Sequence, residues 1–216
     1  MNDLALRRNE QKERRRAEIL DAAEAVAASE SWDDMTMDQV ARRARLSRAL
    51  LYVYFTDKTD LLFGIGERAL SVLAARLSDS AARHGRGIAR LEAMGRAYVA
   101  FAQEFPVYFA VLAHCELRSP TSADPHGNEG ECARKADALH GMIASTLEAG
   151  MGDGSIRPDV GQAPAVAIAL WGFLHGVIQL AASKANPVGR RGVSIRSLLD
   201  QGLSLAMRSV AAATSA

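Results

Sequence analysis

The chain has 216 residues, of which 49% are hydrophobic and 24% charged, with a formal net charge of +1. That composition suits a globular protein with a substantial core and excludes one coated all over with basic charge for nucleic acid. Its two cysteines show no CxxC spacing, which argues against a zinc site or a disulfide scaffold.

The N-terminus is polar and basic and lacks the apolar stretch of a secretory signal, so the expected compartment is a reducing cytoplasm. A first helix is predicted over Glu10 to Ala28, burying Ile19, Leu20, Ala23, Val26 and Ala27. Trp32 is expected beneath the elements that follow. Thr36 and Gln39 stand in the relation of a capping box, so a second helix opens there and runs to Ala44. Ser47 caps a third helix after a very short turn. Val40, Ala44, Leu46, Leu51 and Tyr54/Phe55 have the spacing that packs two short helices at a steep angle, with Ala41 at their closest approach. Arg48, Ala49, Leu50 and Tyr52 are left facing outward, a surface suited to the DNA major groove. Two basic groups, one from Arg7 to Arg16 and one from Arg42 to Lys58, separated by an acidic stretch from Glu18 to Asp38, can meet one phosphate backbone after folding.

Thr36, Val40-Ala41, Ala44, Ser47, Leu51-Tyr52, Tyr54-Phe55, Lys58 and Leu61 together resemble the TetR family of bacterial transcriptional repressors. Arg45 stands where the family has its turn glycine, Ala49 replaces a second glycine and Leu50 replaces a threonine. A non-glycine residue at positive φ costs about 1 kcal/mol. The resemblance implies that Thr36, Tyr52, Tyr54 and Lys58 bind phosphates, and that Arg48, Ala49 and Leu50 face bases. Side-chain chemistry agrees, since hydroxyls and an ammonium suit phosphate oxygens and Arg48 can bond a guanine edge twice. Ser47 is a cap first and a contact second, and core packing competes for Tyr54.

A fourth helix is predicted from near Asp57 towards Arg83, linking the reader to the rest of the chain. Further helices are predicted over Ile88 to Glu104, Tyr108 to Glu116, about Glu131 to Ala149, Gln162 to Lys184 and Val193 to Ala212. Arg118 to Gly130 reads as an exposed loop, GMGDGSIRP and ANPVGRRG as turns, and the final TSA as frayed. Val160 to Ser183 carries no charged residue. Its proline, glutamines, histidine and glycines favour a buried interface helix over a membrane span. Gly172 and Gly176 permit close approach of a partner helix, flanked by Leu174 and Ile178, while Leu199 and Leu203 of the last helix complete the predicted interface. Two such helices from each of two chains make a four-helix bundle, an arrangement the resemblance also implies.

The expectation is therefore an all-α homodimer, with no membrane partner, metal or cofactor. Residues 10–66 form a three-helix helix-turn-helix DNA-binding domain, and 67–216 a larger helical domain for ligand binding and dimerisation. Phe101, Phe105, Tyr108, Phe109, Cys115, Met142, Trp171 and His175 are candidates for the pocket of an amphipathic organic effector. Binding of that effector releases a repressor from a near-palindromic operator. Control by a protein partner and action as an activator are the alternatives. Catalysis is not expected: no HExxH, GxSxG, P-loop or GxGxxG is present, and His114, Cys115 and Glu116 diverge around a helix.

Overall fold

Helices account for the regular structure among the described residues, apart from one isolated antiparallel bridge between Ile156 and Ala211. The computed structural model describes residues 3–117, 127–183 and 189–213. In chain order the helices are α1 (Asp3–Ser29), α2 (Met37–Arg43), α3 (Arg48–Tyr54), α4 (Lys58–Ala81), α5 (Gly87–Glu104), α6 (Pro106–Glu116), α7 (Asn128–Gly152), α8 (Ala163–Ala182) and α9 (Ile195–Val210), with a 3-10 turn at Gly189–Arg191. The readings for 118–126, for 184–188 and for the final TSA lie outside the described residues.

The chain divides into two compact units, and α4 passes from one to the other after Leu70. The first unit holds Met1–Leu70 together with Pro106–Ala133. Its core joins Ile19, Leu20 and Ala23 of α1 to Trp32, Val40, Leu51, Phe55, Leu61 and Ile65, with Val111 of α6 added. Arg68 ties α4 to α1 through Asp21 and Glu24 (2.8 Å), and Tyr108 of α6 donates to Glu24 at 3.2 Å. Burial raises the Glu24 carboxyl above its ordinary value, against the opposing pull of Arg68.

The second unit holds Ser71–Phe105 and Arg134–Ala216, in which α5, α8 and α9 pack on one another. The start of α5 is held from a distance. The amides of Gly87 and Ile88 donate to Asp153 Oδ2 (2.7 Å) and Ser155 Oγ (3.0 Å), in the turn after α7. Gly87 and Gly150 permit this closeness, since a Cβ on Gly87 would lie 2.2 Å from the Gly150 Cα. The end of α9 returns to the same turn, with Arg157 N donating to Val210 O and Ala212 N to Ser155 O.

Four of the six residues predicted at a subunit interface are used inside the single chain. Leu174, Ile178, Leu199 and Leu203 are buried where α5, α8 and α9 meet. Gly172 is exposed and Gly176 half-buried, and a Cβ on either would meet nothing within 4 Å. The large apolar side chains left outside on α8 are Ile168 (56% exposed), Phe173 (43%) and Leu180 (52%).

Candidate nucleic-acid interface

Local chemistry sets the reader's geometry. Thr36 Oγ1 accepts from the Gln39 amide at 3.3 Å while Gln39 Oε1 accepts from the Thr36 amide at 2.7 Å, so both halves of the capping box form. Gln39 Nε2 in turn donates to Glu30 at 2.6 Å, which anchors the box to the end of α1. The chain then turns through Arg45, whose φ of 56° is the only positive one at a non-glycine among the described residues. Ser47 Oγ accepts from the Leu50 amide at 3.2 Å and opens α3. Leu51 and Phe55 are fully buried and seat the helix on the core.

With that face buried, Arg48, Ala49, Leu50, Tyr52 and Val53 point to solvent. Arg48 lies over the Tyr52 ring, 5.7 Å from its centroid, and its Nε is 3.1 Å from Asp38 of α2. An exposed pair of this kind is weak and yields readily to a competing acceptor. Val53, 74% exposed, did not stand out in the sequence, though its place four residues after Ala49 puts it on the same face.

Thr36 is exposed at the mouth of α2, and its hydroxyl also reaches Gln39 Oε1. Tyr54 is half-buried: it packs against the core and borders a polar cleft with Lys12, Arg16, Thr56 and Asn128. Lys58 spans two elements, with Nζ donating to the Asp33 carbonyl at 2.9 Å and lying 5.6 Å from the Trp32 ring centre. Asp57 caps α4 by accepting from the Asp60 amide at 2.8 Å. Asn128 latches this corner, accepting from Arg16 at 2.6 Å and donating to Asp60 at 2.7 Å.

The candidate effector residues fall into both units. Tyr108, Phe109 and Cys115 belong to the first; Phe101, Phe105, Met142, Trp171 and His175 belong to the second. Within the second unit Trp171 stacks on Tyr98 at 4.4 Å, and the Tyr98 hydroxyl meets His175 Nδ1 at 2.7 Å in a buried polar pair. Trp171 and Tyr98 border an apolar cavity of about 40 Å³ whose other walls include Leu91, Met94, Leu174 and Leu203. Sequence reading missed Tyr98 and Met94, because helical spacing marks them as buried on one face of α5 without telling packed core from the wall of a void. Phe101 and Phe105 pack together at 5.5 Å, with the Arg76 guanidinium over Phe105.

Comparison with known proteins agrees with this geometry. Residues 19–65 match the family described as bacterial regulatory proteins, tetR family, and residues 91–203 match the tetracyclin repressor-like C-terminal domain. No curated protein matches the chain by sequence. Among solved structures, a bacterial regulatory protein in the tetR family from Rhodococcus RHA1 superposes with a TM-score of 0.69 at 20% identity, over 93% of this chain and 98% of that one. The ketosteroid transcriptional regulator of Mycobacterium tuberculosis superposes at 0.66 and 16% identity, over 92% and 96% of the two chains. Likeness at such low identity speaks for the fold alone, while the two family matches cover both the reader and more than half of the chain. The chain belongs to the TetR family of transcriptional regulators.

Proposed function

We propose that the chain is a repressor that binds a near-palindromic operator as a homodimer in the cytoplasm and leaves it when a small organic molecule binds. Residues 10–66 read DNA; residues 67–216 hold the effector and the partner chain. The observation that carries this reading is the outer face of α8. Ile168, Gly172, Phe173, Gly176 and Leu180, with Gln179 among them, form an uncharged strip that is mostly small or apolar. A second copy of α8 covers that strip, and the glycines let the two backbones approach. This reading replaces the membrane as the partner of a helix apolar enough to span one.

Pairing supplies what a single α3 lacks. A helix of seven residues reaches a few base pairs, so affinity and specificity require a second copy a whole number of DNA turns away. The effector acts by binding one spacing of the readers better than the other. The cavity beside Trp171 is too small for such a molecule as it stands, and the flexible side chains of Met94 and Met207 give it walls that can move. Selection of bound duplexes from a random pool tests the whole proposal. Recovery of inverted repeats with fixed spacing is expected; a single unrepeated site, or no enrichment, contradicts it.

A further inference from the structure

The chain's two cysteines sit on different helices, Cys115 in the last turn of α6 and Cys132 in the early turns of α7. They converge on one glycine of α4. A Cβ placed on Gly66 would lie 2.9 Å from Cys115 Sγ and 3.0 Å from Cys132 Sγ. The two sulfurs are therefore within about 6 Å of each other, close enough for modest side-chain rotation and helix adjustment to bring them to bonding geometry. All three residues lie in the first unit, and Cys115 packs against the core that seats Leu51 and Phe55. Among the described residues no third sulfur, imidazole or carboxylate joins the pair in a metal-binding group. Cys115 is half-buried and Cys132 buried, which gives the two thiols different access to solvent.

We propose that Cys115 and Cys132 form a dithiol site that a hydroperoxide oxidises to an intrachain disulfide. Cys115, the more accessible, meets the oxidant. Its thiolate attacks one peroxide oxygen, the O–O bond breaks, and a sulfenic acid forms with release of water, or of an alcohol from an organic peroxide. The Cys132 sulfur then attacks the Cys115 sulfur; the S–S bond forms, the S–O bond breaks, and hydroxide leaves as water with the thiol proton. The peroxide has accepted two electrons, and each sulfur has lost one. Because the bond pulls on α6, whose Val111 shares a core with Leu51 of α3, the oxidised and reduced forms differ in operator affinity. That consequence rests on the function proposed above, whereas the chemistry does not.

The test treats the full-length chain with hydrogen peroxide, then unfolds and alkylates it for intact-mass measurement. The expected product has lost two hydrogens and takes up no alkyl group; dithiothreitol restores two alkylatable thiols. Cys132→Ser gains oxygen or crosslinks between chains but never shows the two-hydrogen loss. Should that variant fail to fold, the linked peptide recovered from the digested wild-type protein decides the point. Two alkylatable thiols after peroxide, or a bond found only between chains, overturns the proposal. Operator titration of the oxidised and reduced forms then tests the regulatory step, and equal affinities overturn that step.

Discussion

Arg45 holds a left-handed backbone in the turn where glycine would be unstrained, and its side chain is exposed. Arg45→Gly relieves about 1 kcal/mol of strain, partly offset by the freedom glycine adds to the unfolded chain, for a net gain of a few tenths of a kcal/mol. Urea midpoints of the two proteins measure it, and a lower midpoint for the variant contradicts the strain argument. Operator affinity falls in the same variant if Arg45 also meets a phosphate, so the two readouts separate shape from charge. Lys58 carries a similar double role, with its ammonium on the Asp33 carbonyl and over Trp32. Lys58→Met keeps much of the packing and loses the charge. Binding to all duplexes should weaken alike, with the salt slope reduced by about one phosphate equivalent. An unchanged slope would confine Lys58 to holding α4 in place. Arg48→Ala should relax preference at one base pair in each half-site, because the fork that can bond a guanine edge is gone; equal loss on every sequence argues against a base contact.

Among the elements, α5 depends on a partner far away in sequence. The start of α5 lacks a side-chain cap of its own, and Asp153 and Ser155 supply acceptors to its first amides. Bonds to Ser155, then the Gly87 amide, hold the Asp153 carboxyl below its ordinary value. A carboxyl lowered in the folded state contributes stability that is present above its unfolded pKa and lost as pH falls through the folded one. Asp153→Asn should therefore be less stable than wild type near neutrality, with the gap closing in acid below the usual carboxylate range. Thermal midpoints across pH check this, and a gap independent of pH would show that the charge is immaterial. Remote capping of this kind was not legible in the sequence, whereas the Thr36 box and the Ser47 cap were, because those donors and acceptors lie three residues apart. The same distinction separates the site residues. Exposure on α3 followed from its own spacing, while membership of Tyr108 and Trp171 in different units depends on how distant helices pack. Helical periodicity shows that Leu174 and Leu203 are buried, and leaves open whether their own chain or a partner buries them.

At the scale of the whole molecule, that ambiguity becomes a test of the dimer. Gly176 faces open space within one chain, so a side chain there costs the monomer little. Gly176→Glu places a charge in the strip formed by Gly172, Phe173 and Leu180, where a partner helix would have to desolvate it twice, once from each subunit. The variant should keep its helical signal and thermal transition but run as a monomer in light scattering. Operator binding should then fall by about 10²–10⁴, since the second half-site no longer benefits from attachment to the first. Leu203→Glu serves as the contrast: it puts the same charge into the chain's own core, and there folding itself should fail. If Gly176→Glu remains dimeric with full operator affinity, the subunits meet through another face and α8 must have a different partner. If it becomes monomeric yet binds as tightly as before, one reader suffices and the inverted-repeat operator has no physical basis.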